Sequence, residues 1–257
     1  MTTVTTLRPP VGRHPRTRAA VAPALLACSH GTSAPDGQAA VAGLVAAVAA
    51  RRRDLVVAPA FVDVQQPDVP VTLAGLGERA VRIVPLLLSA GYHVHVDLAR
   101  AARGAHEAVV GPALGPDLRL AEILARRLRE AGLGPGDSVV LAAAGSSDPR
   151  AVADCRVQAT MLAGVLGRGV TAGFISAAQP ALADAVAEAR RARPGARVAV
   201  ATYLLAPGYF ADLAAACGAD LVSAPLLLPE EAPADLVDVV LDRYAAPARP
   251  PTPAVRR

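Results

Sequence analysis

Three imidazoles and two carboxylates stand just past apolar runs of strand length. The run Val21-Ala-Pro-Ala-Leu-Leu-Ala-Cys28 delivers Ser29-His30-Gly31-Thr32, and Phe61-Val62 leads into Asp63. Val81-Arg-Ile-Val-Pro-Leu-Leu-Leu88 ends in Ser89-Ala-Gly91-Tyr92-His93-Val-His95-Val-Asp97. Neutral imidazole and carboxylate together can hold a divalent metal while leaving coordination positions open. Histidine also accepts protons near neutral pH. In an open α/β sheet, ligands bind outside the carboxyl ends of the strands, so polar groups at those places are candidates for a site.

Each candidate has a structural reading beside the chemical one. A histidine past a strand can hydrogen-bond a loop carbonyl, and Asp63 can serve as a turn or cap residue. The loop from Gly31 to Gly37 presents backbone N–H groups ahead of a helix, where a carboxylate or phosphate can bind. His93 and His95 share a face if extended and lie on roughly opposite sides if helical. Asp97, one helical turn from His93, either orients that ring or favours the helix N-terminus. Arg100 and Arg103 are better placed to meet an anionic substrate than Arg51-Arg-Arg53, which reads as a solvated helix end. His14 belongs to a tail, and His106 falls at the opposite end of the sheet. Histidine phosphatases also use a strand-end His-Gly, but after an arginine, where this chain has Ser29.

Composition removes other chemistries. All 26 basic residues are arginine, so Schiff-base, pyridoxal-phosphate and Walker A lysines are excluded, and with them an ordinary ATP-driven P-loop. The net charge of +4 belongs to the ends: residues 1–20 and 246–257 hold seven arginines and no acids, leaving 21–245 at −3. With 3% aromatics, that balance gives no nucleic-acid surface. Cys28, Cys155 and Cys217 are odd in number and unpaired in spacing, as in a reducing cytoplasm. No apolar run is long enough to span a bilayer. Leu25-Leu-Ala-Cys28 resembles a lipoprotein cleavage signal, but Pro23 breaks the stretch before it and a first strand is the better reading.

The elements that must position these residues follow a βαβ rhythm. Strands are expected near 22–28, 55–61, 80–88 and 107–111, with helices near 36–52, 67–78, 95–104 and 117–131. After the breaker Gly132-Leu-Gly-Pro-Gly136 the rhythm restarts. Strands then fit 138–143, 170–175, 197–205 and 220–224, and helices 149–167, 180–193, 209–217 and 230–244. The expectation is an α/β fold of two tandem domains, each a parallel sheet flanked by helices and related by internal duplication. Residues 21–135 form the N-terminal domain with the site, 136–245 a degenerate repeat, and 1–20 and 246–257 disordered tails.

The repetition is in residues as well as rhythm. Ser29-His30-Gly31 aligns with Ala143-Ala144-Gly145, Phe61 to Pro67 with Phe174 to Pro180, and Gly91-Tyr92-His93 with Gly208-Tyr209-Phe210. Pro112-Ala-Leu-Gly-Pro116 aligns with Pro225-Leu-Leu-Leu-Pro229. Backbone-forming residues persist, whereas His30 becomes Ala144, Asp63 becomes Ser176 and His93 becomes Phe210. The comparison nominates the first half alone for chemistry, so changes at Ala144 and around Phe210 are expected to spare it. His95 falls opposite Asp212 and loses priority to His93.

With Ser29-His30-Gly31 and Pro85-Leu-Leu-Leu-Ser-Ala-Gly91-x-His93-x-x-x-Asp97, followed by Pro112-Ala-Leu-Gly-Pro116, the chain resembles the class II, ATP-independent tetrapyrrole chelatases. It is most similar to the long two-domain sirohydrochlorin chelatases, over about residues 21–245. The resemblance implies insertion of a divalent metal into sirohydrochlorin, with His30 and His93 at the metal. Asp63 stands where that family often has glutamate and contributes charge. No organic cofactor is implied; Fe²⁺, alternatively Co²⁺, enters as substrate. The anionic tetrapyrrole is the expected partner, its carboxylates meeting backbone N–H groups and arginines between the two domains. The protein is expected to be a cytoplasmic monomer or homodimer.

Overall fold

A computed structural model describes residues 21–89, 91–105 and 107–247, with residues 92–97 described by their backbone. The expected tail 1–20, residues 248–257 of the expected tail 246–257, His14 and His106 lie outside the described residues. The first half folds as β1 (Ala24–Ser29), α1 (Pro35–Arg51), β2 (Val57–Phe61), α2 (Val69–Gly75), β3 (Val81–Pro85), α3 (Tyr92–Arg103), β4 (Ala108–Val110) and α4 (Leu118–Glu130). The second half repeats the alternation with β5 (Ser138–Ala143), α5 (Pro149–Leu166), β6 (Val170–Phe174), α6 (Leu182–Ala192), β7 (Val198–Tyr203), α7 (Tyr209–Ala215), β8 (Leu221–Val222) and α8 (Ala234–Ala245). Each half builds a parallel four-stranded sheet, ordered β2-β1-β3-β4 and β6-β5-β7-β8. In both, the first strand sits at the centre, flanked by the second and third.

Central strands of a parallel sheet are covered on both faces, and β1 is buried along its whole length. Alternate residues serve different layers. Leu25 and Ala27 pack inward with Leu44 of α1 and Leu120 and Leu124 of α4, while Ala24, Leu26 and Cys28 meet Val69 and Leu73 of α2 and Leu98 of α3. β5 does the same: Val139 and Leu141 face inward, Val140 and Ala142 face Leu182, Val186 and Ala214. The inward clusters of the two halves are one cluster, which also takes in Leu162 of α5 and Leu236 and Val240 of α8. The chain is therefore five layers, with α1, α4, α5 and α8 as a shared middle layer between the sheets. Each fully buried Leu or Val there contributes about 1.5–3 kcal/mol.

Polar groups tie the same interface. Asp117 caps α4 by accepting from the Arg119 N–H, and pairs with Arg119 and with Arg243 of α8. Arg243 also donates to the carbonyls of Ala113 and Leu114, and Gln158 of α5 exchanges two hydrogen bonds with the Asp117 backbone. Arg127 is 2% exposed and reaches Glu130 and, across the halves, Glu231 at 2.9 Å each. Burial raises the Glu231 carboxyl, but hydrogen bonds from Arg126 and Arg127 outweigh it and hold the group below its ordinary value. Asp117 is lowered in the same way by Arg119 and Arg243 against its own burial. A carboxylate lowered in the folded state stabilises fully above its unfolded pKa and loses that contribution as pH falls through the folded one. Thermal melts across pH should be level near neutrality and fall below about pH 4, the ordinary carboxylate range; a melting temperature unchanged down to pH 2.5 (roughly) would show these pairs to be idle.

Most boundaries meet expectation within a few residues, and the differences have local causes. α2 starts at Val69 rather than near 67 because Asp68 caps it, its Oδ1 accepting from the Val71 N–H. α8 starts at Ala234 rather than 230 because Leu228 and Glu231 close a tight backbone bridge ahead of Pro233. α3 starts at Tyr92 rather than 95, with Gly91 as its extended cap residue. That last shift places His93 and His95 inside a helix.

Candidate active site

His30 is the residue after β1, at the carboxyl end of the central strand, and its side chain is exposed. Asp63 reaches the same place because the β1–β2 ladder continues past both strands. The Val62 N–H donates to the Ser29 carbonyl and the Asp63 N–H to the His30 carbonyl, each at 3.0 Å. Asp63 Oδ1 then accepts from the Val64 N–H at 2.8 Å, which leaves its second oxygen toward solvent on an exposed residue. The loop is held by Gln65, whose Oε1 accepts from the Thr32 N–H at 3.0 Å.

Gly31 makes this approach possible. Its φ is +97°, and a Cβ there would overlap the Asp63 carbonyl oxygen. Gly145 repeats both facts in the second half, with φ +94° and the Ser176 carbonyl in the overlapping place. Val64 and Ala177 share a positive φ, and Gln66–Pro67 and Gln179–Pro180 share a cis peptide. The backbone of the site thus occurs twice. Its imidazole and carboxylate occur once, and in the second copy the Ser176 hydroxyl simply donates to the Ala144 carbonyl at 3.0 Å.

The third element is the β3–α3 connection. Pro85 pairs in register with Cys28, and the Leu86 N–H donates to the Cys28 carbonyl at 2.7 Å, so this connection leaves the sheet beside the His30 loop. His93 occupies the second position of α3, while the side chains of His93, His95 and Asp97 lie outside the described residues. Two residues along a helix are about 200° apart around its axis, so positions 93 and 95 do not share a side; positions 93 and 97 are one turn apart. Among the described residues no three His, Cys, Asp or Glu side chains gather into a metal cage. Cys28 offers no thiolate there, because burial pushes its thiol up to about 12.

The second half braces this connection in a way the sequence did not announce. The buried Tyr203, last residue of β7, donates its hydroxyl to the Leu88 carbonyl at 2.8 Å. Burial raises its pKa, which keeps the hydroxyl protonated and able to donate. Cys155 of α5 contacts Ser89, the next residue. A Cβ on Gly115 would overlap both the Tyr203 hydroxyl and the Leu88 carbonyl, which accounts for glycine in Pro112-Ala-Leu-Gly-Pro116. Tyr203→Phe leaves the Leu88 carbonyl without that donor and is expected to lower stability by about 1–3 kcal/mol in denaturant titration; no change would mean that water replaces the hydroxyl.

Arg100 and Arg103 are exposed on α3. Arg100 lines a cavity of about 710 Å³ between α2 and α3, walled by Phe61, Val62, Leu73 and Leu98. This cavity opens on the outer face of the first sheet, not between the halves where substrate carboxylates were expected.

A model of the CbiX family matches residues 24–131 and 138–215, spanning both copies of the site backbone. The chain belongs to the CbiX family. Among solved structures, this CbiX-family chain is similar to SirB from Bacillus subtilis with Fe³⁺, at 20% identity over 87% of this chain and 94% of that one, with a TM-score of 0.70. SirB from Bacillus subtilis subspecies spizizenii in complex with cobalt matches at 19% identity over 87% and 94%, TM-score 0.67. CbiX, the terminal enzyme for biosynthesis of siroheme in denitrifying bacteria, matches at 20% identity over 85% and 98%, TM-score 0.60. These likenesses show a common fold. No curated protein sequence matches the chain.

Proposed function

We propose that this chain inserts a divalent metal into sirohydrochlorin without ATP, with Fe²⁺ favoured and Co²⁺ the alternative. The observation that carries the reading is the asymmetry of the two halves: a CbiX-family backbone present twice, with His30, Asp63 and His93 in the first copy only. A free macrocycle gives up two pyrrole N–H protons as M²⁺ enters, so the reaction needs a metal perch and a proton acceptor and no nucleotide. His30 and His93 present the metal and take up protons, and the Asp63 carboxylate adds negative charge beside them. In this reading residues 21–135 are the catalytic domain and 136–245 a degenerate copy that braces it. The metal is the substrate, no organic cofactor takes part, and the reducing cytoplasm suits three unpaired cysteines.

One similar structure is a sirohydrochlorin chelatase, SirB, in complex with cobalt, and another is SirB with Fe³⁺, so both metals belong in the test. Imidazole and carboxylate accept Fe²⁺, Co²⁺ and Ni²⁺ alike. Initial rates of metal uptake by sirohydrochlorin, followed anaerobically by visible absorption, are expected to be highest with Fe²⁺. A higher rate with Co²⁺ moves the assignment to a cobaltochelatase, and no acceleration with any of the three overturns the proposed activity.

A further inference from the structure

Where the first copy has Gly91-Tyr92-His93, the second has Gly208-Tyr209-Phe210, and the replacement is not a buried packing residue. Tyr209 is 70% exposed, Phe210 39%, and Leu213, one turn further along α7, 39%. The two rings meet edge to face with centroids 5.8 Å apart. The chain has only seven aromatic residues and an aliphatic core, so two rings left in water side by side form a feature that the packing does not explain.

Their position is defined by contacts between the halves. The Pro207 carbonyl lies where a Cβ on Gly37 would go, and a Cβ on Gly208 would stand 3.1 Å from Thr32 Oγ1. Thr32 is two residues from His30. The mirrored contact sets Gly91 against Ser146, whose Oγ lies 3.8 Å from a Cβ built there. Loops at the carboxyl ends of both sheets therefore meet, and the aromatic pair begins one residue from the point where the second half touches the His30 loop.

The chemistry of α7 selects the part of a ligand it can hold. Its sequence Tyr-Phe-Ala-Asp-Leu-Ala-Ala has no cation and one carboxylate, Asp212, so it does not recruit the acidic periphery of a tetrapyrrole. Rings and a leucine suit a flat conjugated face instead, through stacking and edge contacts. A second protein copy is the poorer fit, because three side chains fall well short of the roughly 800 Å² per partner of a stable interface.

We propose that Tyr209, Phe210 and Leu213 form an apolar platform, supplied by the second half, on which the macrocycle of the tetrapyrrole rests beside His30. The inference rests on the proposed sirohydrochlorin activity and gives the degenerate copy a role in binding rather than in proton or metal handling. The test uses the full chain carrying Tyr209→Ser and Phe210→Ser together, with metal-free sirohydrochlorin as the probe. Both residues are exposed, so the melting temperature reports any folding defect separately.

With both stacked contacts removed, the Kd for metal-free sirohydrochlorin should rise roughly thirtyfold or more. The KM for sirohydrochlorin should follow it, with the KM for the metal unmoved. Tyr209→Phe with Phe210→Tyr keeps both rings and should restore binding. An unchanged Kd in the double serine variant overturns the platform. So does a change in oligomeric state in its place, or wild-type protein that binds no sirohydrochlorin. Tetrapyrrole binding that depends on the two rings, in a protein without turnover, upholds the platform while removing the proposed enzyme activity.

Discussion

His30→Ala is expected to lower the rate of metal uptake by sirohydrochlorin by about 10²–10⁴-fold, the range for removing a positioned proton acceptor. The side chain is exposed and lies beyond the buried part of β1, so the fold should survive its removal. His30→Ala with His93→Ala should lose no more than the uncatalysed rate leaves, and the two losses should not add, because the residues act on one metal. Ala144 gives the internal control. It holds the same backbone position in the second half, its carbonyl accepting from the Ser176 N–H as the His30 carbonyl accepts from the Asp63 N–H. Ala144→His should neither raise activity nor rescue His30→Ala. Full activity in the double alanine variant would remove the site assignment, and rescue from Ala144→His would mean that the halves share one centre.

Gly31→Ala is expected to be strongly damaging. The residue sits at φ +97°, where an L side chain costs about 1–2 kcal/mol, and the added carbon meets a backbone oxygen rather than a movable side chain. Overpacking adds about 1–3 kcal/mol, so a combined loss of about 2–5 kcal/mol is expected in denaturant unfolding. Gly145→Ala, at φ +94° against the Ser176 carbonyl, should destabilise by a similar amount. The two variants differ in what the strain displaces. In the first, relief comes from moving the Asp63 backbone away from the His30 loop, so turnover falls with stability. In the second, the moving groups are Ser176 and Ala144, and the folded fraction should keep near-normal turnover. Equal losses of turnover per folded molecule would show that the second copy's loop takes part in the chemistry.

The element order and the strand ends were readable because Ala- and Val-rich runs stop at Gly, Pro, Asp and Ser, and these breakers act locally. The repeat sharpened that reading, since Gly31 and Gly145 recur for a backbone reason that no side-chain role requires. What could not be read lies at long separations. Tyr203 grips the Leu88 carbonyl across 115 residues, and Arg127 is buried against Glu231, yet neither has a local signature. In the repeat, Tyr203 aligns with Leu86, a swap that marks the position without saying what the hydroxyl reaches. The shared middle layer was equally hidden. Amphipathic helices show that a face is buried, not whether the partner is the same half or the other. α3 began three residues early because extended Gly91 takes the cap position without a capping side chain, and only side-chain capping is written in residue types.

Under the proposed function, the strand-end residues of the first half turn over metal insertion with no nucleotide. The most direct measurement is a progress curve of visible absorption, with sirohydrochlorin and Fe²⁺ in large excess over protein and no ATP present. Many equivalents of product per protein are expected, with the His30→Ala, His93→Ala variant following the protein-free curve. Uptake that stops at one equivalent, or a double variant that keeps pace with the wild type, would contradict the proposed function.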